Sequence, residues 1–281
     1  MGFTTEAVRF LSYCKESGID FESTLQVARQ CCHFSSDEMG IKEGDFAEPL
    51  FRFLGAKKVE SMDYSDFEQA SIIHDMNLPI NESLKENFSA VVEGGTLEHV
   101  FNYPVAIKNC MEMVKVGGHL ILMTPANNLF GHGFYQFSPE LFFSLLTEQT
   151  GFTDTQIFIQ DDALRWYKIR NPKDIKCQVN ICIAKNRPSV IYVISKKIKP
   201  TPEKFNVLQS DYVDLWGSGG TSSGKIEVKN GMVKRVAKRI YRKFIRVLGL
   251  NKKNKEKLFY DRVKFGGNFN VKGRWLPKIG D

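Results

Sequence analysis

An open, mostly parallel α/β sheet is the fold predicted for this chain of 281 residues. Three observations predict it. Short apolar runs alternate with segments of helical periodicity, the pattern of strand–helix–strand units. Three successive runs, Val59–Asp63, Ile72–Asp75 and Phe88–Gly95, end in an acid or in glycine, and a parallel sheet presents its strand ends to one crevice where such acids can hydrogen-bond a nucleotide-like ligand. The run His119–Thr124 is apolar enough to be covered on both faces, as the strands of parallel sheets are.

The elements follow in order. Thr4–Glu16 carries Ala7, Val8, Phe10, Leu11 and Cys14 at helical spacing, with Gly18 as its stop. Thr24–Arg29 reads as the first strand, and Asp45–Leu54 as a helix closed by Gly55. The Val59, Ile72 and Val91 strands come next. Pro104–Val114 places Ala106, Ile107, Cys110, Met111 and Val114 on one helical stripe, and Gly117-Gly118 turns the chain into the His119 strand. Pro139–Glu148 is a helix behind an N-cap-like Ser138. Gln156–Ile159 and Ser189–Ser195 are strands that pair as an antiparallel end of the sheet. The domain plan is an N-terminal helix over 1–19, the sheet domain over 20–200, a Gly/Ser-rich linker over 201–224 and a basic tail over 225–281.

Composition sets the function classes. The 42% of hydrophobic residues fits a globular chain with a sizeable core. The six cysteines lack metal-ligand spacing, and no apolar leader precedes them, so reduced thiols in a cytoplasm are expected. No metal is expected either, because no ligand spacing links His74, His99, His132 and the neighbouring acids. The net charge of +7 divides unevenly: residues 225–281 hold 18 Lys and Arg against 4 acids, and the remainder holds 21 against 28. A uniformly basic nucleic-acid binder is not built this way, and no recognition motif accompanies the basic runs.

On Val59–Asp63, on Gly95-Thr96-Leu97-Glu98-His99-Val100 after a strand, and on Met113–Leu122 before Pro125, the region from about 20 to 200 resembles class I S-adenosylmethionine-dependent methyltransferases. The resemblance implies a Rossmann-like, seven-stranded, mostly parallel sheet with an antiparallel edge hairpin, followed here by the basic helical tail. It implies S-adenosylmethionine as cofactor, Asp63 on the ribose hydroxyls, Asp75 near the adenine amine and Gly117-Gly118 opening the fifth strand. Ala28, Arg29, Tyr64, Met76, Glu93, Gly94 and Gly95 complete the expected cofactor set, with Glu93 on the methionine amine or a substrate, or facing water. The segment Asn127–Glu140 resembles a narrower group of bacterial methyltransferase-like proteins of polysaccharide and other carbohydrate pathways, which implies O-methylation of a sugar or glycan intermediate. One departure stands out: Ala28 occupies the place of the first glycine in the loop that normally lets backbone approach the cofactor.

For methyl transfer to a hydroxyl the protein aligns the acceptor and removes a proton. His99 or His132 is the expected base, with Asn128, Tyr135 and Gln136 shaping the acceptor pocket; the alternative for each histidine is to order its loop. In the tail, Val233, Val236, Ala237, Ile240, Tyr241, Phe244, Val247 and Leu248 recur at helical spacing among seven cations. Such a helix, within 231–257, can lie on an anionic membrane, each cation contributing about 1 kcal/mol, or pack on the acidic body or on a second copy of the chain. The competing function class is a catalytically silent methyltransferase-fold scaffold, attached to an anionic membrane or an acidic partner through the same tail.

Overall fold

The computed structural model describes residues 2–161, 164–175, 188–210, 213 and 260–263. Two short strands, β1 (Gly2–Phe3) and β3 (Cys31–Cys32), form a small parallel pair of their own. The main sheet contains β2 (Ser23–Val27), β4 (Lys58–Asp63), β5 (Ile72–Ile73), β6 (Phe88–Glu93), β7 (Val114–Pro125), β8 (Phe152–Asp161), β9 (Trp166–Ile169), β10 (Ser189–Lys197) and β11 (Tyr260–Val263). Its order is β11-β9-β8-β10-β7-β6-β2-β4-β5. The half from β5 to β7 is parallel, and β10, β8, β9 and β11 add to it antiparallel. The expected open α/β sheet is therefore present, with two more edge strands than the seven expected. The helices are α1 (Thr5–Glu16), α2 (Glu48–Phe53), α3 (Tyr103–Met113), α4 (Pro139–Leu145) and α5 (Pro172–Ile175).

Alternation along the strands builds a core on each face. Val91, Leu120, Leu122, Ile157, Ile191 and Val193 point to one side, beneath α3 and α4. Their neighbours Ala90, Val92, Ile121, Met123, Phe158 and Tyr192 point to the other, against α1, α2 and the segment through Phe34 and Ile41. Both faces are covered, so the central strands are apolar throughout, as the His119 run foretold. Thr4 caps α1 by accepting from Ala7 N–H, and Gly18 follows it at φ +85°.

Several boundaries differ from the sequence reading for local reasons. Gly117-Gly118 lies inside β7 rather than before it: the ladder to β6 slips there, and a Cβ at Gly118 would stand 2.7 Å from the Ser89 carbonyl oxygen. The glycines thus make a bulge where two strands approach closely. Ser138 precedes α4 in an extended conformation, but its side chain makes no capping bond. Residues 201–210, read as linker, are fastened to the body: Lys108 Nζ donates to the Glu203 carbonyl at 2.7 Å, and Ser210 donates to Glu140 through its N–H and its hydroxyl. Residues 260–263 of the basic segment are an edge strand on β9. The helical stripe 233–248, the rest of the basic tail, the Gly/Ser run, Cys177 and Cys182 lie outside the described residues.

Lys197, 1% exposed, ends β10 beneath the C-terminus of α3. Its ammonium donates to the carbonyls of Met111, Glu112 and Val114 at 3.0, 3.3 and 2.8 Å, and lies 3.4 Å from Glu86 Oε1. Helix-end carbonyls have no partner within their own helix, so the lysine replaces the water that the sheet excludes. Lys197→Met is expected to lower the unfolding free energy by about 2–3 kcal/mol through stranded carbonyls, measured by urea denaturation.

Candidate active site

The tips of β2, β4, β6 and β7 converge on one edge, and the strand order reverses between β2 and β6, the place where open α/β sheets bind ligands. Asp63 closes β4 and turns toward β2: its Oδ2 accepts Arg29 N–H at 3.3 Å and its Oδ1 accepts Tyr64 N–H at 2.7 Å. A carboxylate accepts about four hydrogen bonds, so the half-buried Asp63 retains acceptor capacity.

The β2 turn departs from a glycine-rich loop in geometry as well as sequence. Ala28 adopts φ +60°, with its N–H donated to the Met62 carbonyl at 2.7 Å. Arg29 then folds back: its Nε pairs with Glu48 at 2.8 Å, Nη1 donates to the Glu68 carbonyl, and the guanidinium lies 3.9 Å from the Phe46 ring centre. Gln30, 1% exposed, crosses from β2 toward β6, donating to the Val27 carbonyl and to Thr96 Oγ1. From the other side, β1 lays Phe3 on Gly94, where a Cβ would stand 2.8 Å from the ring.

After β6 the chain forms a cluster of titratable groups. Glu93 is fully buried and curls over its own strand end, one oxygen accepting from Gly95, Thr96 and Leu97 N–H. Five residues later Glu98, 1% exposed, sits in the short turn Leu97–His99. Its Oε1 is 3.1 Å from His132 Nε2 and 3.9 Å from His99 Nε2, and the two rings meet edge-on with centres 4.9 Å apart. Burial raises the pKa of both carboxyls, and at Glu98 the neighbouring Glu93 adds to the rise. Burial, then His132, lowers that of His99.

The loop bearing His132 is fixed to the same residue. Phe134 and Tyr135 N–H groups donate to the Glu98 carbonyl at 2.7 and 3.3 Å, and a Cβ on Gly133 would meet that oxygen at 2.7 Å. The glycine beside His132 permits close packing. Between this loop, β1 and the tips of β6 and β7 lies a cleft of about 160 Å³, lined among others by Phe3, Gly94, Glu98, Thr124 and His132.

The expected site residues divide on these contacts. His132, Gly94 and Gly95 line the cleft, His99 meets the His132 ring, and Glu93 is buried beneath Gly95; Ala28, Arg29 and Asp63 stand at the adjoining strand tips. Asp75 closes a turn, Oδ1 accepting Asn77 N–H and Nδ2–H, and those bonds hold its pKa down. Met76 is 6% exposed and packs in the core near Asn109. Tyr64 is 73% exposed and reaches outward. Tyr135 donates its hydroxyl to the Phe101 carbonyl, and Gln136 accepts Leu129 N–H, so both brace the loop; Asn128 turns it at φ +64°. Glu93 faces no water, which removes that one of its expected roles.

Glu98 and Phe3 are the residues that sequence reasoning missed. Glu98 stands inside the quoted Gly95–Val100 segment, and its place beside His99 was the available signal; Phe3 gave none, because a two-residue strand has no periodicity. The fold also joins Glu98, His99 and His132, whose convergence no spacing announced, whereas His74 stays apart with Nε2 3.0 Å from the Leu78 carbonyl.

Four buried polar atoms at these strand ends have no hydrogen-bond partner: Gln30 Oε1, Glu93 Oε2, Glu98 Oε2 and Thr124 Oγ1. Three are carbonyl or carboxyl oxygens, two of them on the Glu93 and Glu98 carboxyls, a set that suits a cationic group. The ammonium and sulfonium end of the cofactor implied by the resemblance has that charge, and Asp63 suits its ribose. On those atoms the residues fit the cofactor; Gln30 and Phe3 narrow the space left for it.

No protein-family description and no curated protein matches the chain. Among solved structures it is similar to the phosphoethanolamine N-methyltransferase 2 of Haemonchus contortus in complex with S-adenosyl-L-methionine, at 10% identity over 68% of this chain and 52% of that one, with a TM-score of 0.42. It is similar to the N-methyltransferase NodS of Bradyrhizobium japonicum at 14% identity over 69% and 96%, with a TM-score of 0.38. It is also similar to the cyclase SpnF at 14% identity over 69% and 82%, with a TM-score of 0.40. Likeness at this level assigns no residue and no reaction.

Because an L-residue at positive φ costs about 1–2 kcal/mol and glycine returns part of that as unfolded-chain entropy, Ala28→Gly is expected to stabilise the protein by at most about 1 kcal/mol. Thermal and urea unfolding would show it; a destabilised variant would mean that the Ala28 methyl is a packing contact.

Proposed function

We propose that the chain is an S-adenosylmethionine-dependent methyltransferase that O-methylates a sugar or glycan-pathway intermediate. The carrying observation is the set of unpaired buried acceptors at the ends of β2, β6 and β7, with Asp63 at the end of the neighbouring β4, which suits a ligand both cationic and hydroxyl-bearing. Asp63 would hold the ribose hydroxyls, and the acceptors of Gln30, Glu93 and Glu98 the positive end. When bound, the cofactor supplies a methyl carbon already made electrophilic by its sulfonium, so the protein's share is alignment and proton removal.

The Glu98–His132 pair is placed for that removal. Above the pKa of about 8 to which burial and Glu93 push it, Glu98 is ionised and accepts the Nε2 proton of His132, which fixes the tautomer and leaves Nδ1 as the basic nitrogen. His99, edge-on to the same ring, is the second candidate for the base. Sugar as the acceptor class is supported by the resemblance of Asn127–Glu140 and by exposed aromatic faces at the rim, Phe101 and Phe134 among them, in edge contact at 6.0 Å. Aromatic faces receive the apolar face of a sugar ring.

A second reading has its own support: Gln30 bridges the switch point and Phe3 covers Gly94, as in a sheet retained for scaffolding alone. In either reading the basic tail, through residues 231–257, would hold the protein at the cytoplasmic face of an anionic membrane, beside a lipid-linked acceptor or an acidic partner, with self-association as the other use of that surface. Among the described residues no helix is long and apolar enough to cross a membrane.

Calorimetry with S-adenosylmethionine and with its demethylated product is expected to show one site, weakened roughly tenfold, about 1.4 kcal/mol, by Asp63→Ala. A flat trace from folded wild-type protein overturns the enzyme reading in favour of the scaffold. Flotation with anionic liposomes is expected to carry the full chain upward and to leave behind a chain lacking 225–281; equal behaviour of the two discards membrane attachment.

A further inference from the structure

Glu98, His99 and His132 each offer one ligand atom, and these atoms lie within 4.8 Å of one another. Glu98 Oε1 stands 3.1 Å from one imidazole nitrogen and 3.9 Å from the other. Donors about 2.1 Å from a common ion are separated by about 3.0–3.4 Å at octahedral to tetrahedral angles, so small side-chain movements close the set. The remaining Glu98 oxygen is buried without a partner, while the imidazoles are 38% and 46% exposed and can be reached from solvent.

The arrangement is held in advance. His99 adjoins Glu98 in one tight turn, and the loop carrying His132 is fastened to the Glu98 carbonyl by two backbone N–H groups. The three donors therefore come from two segments that cannot drift apart without breaking those bonds. Two imidazoles and one carboxylate suit borderline divalent ions such as Zn²⁺ or Co²⁺, whereas Mg²⁺ and Ca²⁺ take oxygen ligands.

We propose that Glu98, His99 and His132 form a binding site for one divalent transition-metal ion, opening on the cleft between β1 and the His132 loop. The ion binds the lone pair of one nitrogen on each neutral imidazole and one oxygen of the deprotonated Glu98 carboxylate. Three protein ligands leave coordination positions open, as in metal sites that meet a substrate. Within the methyl-transfer reading, on which only this clause rests, the ion takes over the role given there to the two histidines: as ligands they no longer act as the base, and the ion acidifies the acceptor hydroxyl as a Lewis acid.

The test uses the full-length, untagged protein after chelator treatment. Titration with Co²⁺ is expected to give one equivalent of binding with the intense visible bands of a four- or five-coordinate ion, displaced by Zn²⁺. His99→Ala and His132→Ala, both exposed positions whose folding circular dichroism would confirm, are expected to weaken binding by about 100-fold, since even groups that only orient a metal ligand are worth about 10–100-fold. His74→Ala is expected to change nothing. The proposal is overturned if the His99→Ala/His132→Ala double variant binds Co²⁺ as the wild type does, or if the wild type shows no such bands. Calorimetry with S-adenosylmethionine on the chelated protein separates the two ideas: cofactor binding without Co²⁺ binding removes the metal site and keeps the methyltransferase, and the reverse removes the methyltransferase and keeps the metal site.

Discussion

Glu98 holds the upper part of the molecule together from both ends of one residue. Its backbone carbonyl accepts the N–H groups of Phe134 and Tyr135, and its carboxylate meets His132 from the same loop. A carboxyl with 1% exposure would be costly without partners; here that cost is offset by fastening the β6 and β7 loops to each other. Gly133 is the complementary concession, since any side chain there would displace the carbonyl that its neighbours bind. The shape of the cleft follows from that contact more than from the strands beneath it.

The strands supply the rest by simple geometry. Alternate residues of β6, β7, β8 and β10 feed two cores, one under α3 and α4 and one under α1 and α2. Such a double-sided sheet can release polar groups only at its ends, which is why unpaired acceptors accumulate at the tips of β2, β6 and β7. The opposite end shows the same constraint with the sign reversed. There the buried Lys197 satisfies three carbonyls at the end of α3 and the start of β7.

Much of this was legible in the sequence because parallel strands and amphipathic helices write themselves locally. Asp63, the Val91 strand, α1 and α3 stood where periodicity and end residues put them. Contacts between distant segments were not legible. Gln30 reaching Thr96, Phe3 on Gly94 and His132 on Glu98 join residues 34 to 91 positions apart, and no window of sequence contains both partners. The inward packing of Met76 against Asn109 of α3 is of the same kind, since a residue just past a strand end can face inward as readily as out. The two-residue strand β1 and the four-residue strands β9 and β11 are too short, or too late in the chain, to carry a pattern of their own.

The seating of α1 sets an order on synthesis. Phe10 packs on Trp166 and Tyr192, and Glu6 accepts the indole N–H of Trp166 at 3.2 Å, so the first helix made touches strands made more than 150 residues later. Such long sequence separation slows native docking. On the ribosome, the apolar stripe of α1 must wait, in solvent or in the keeping of a chaperone, until strands more than 150 residues further along are made.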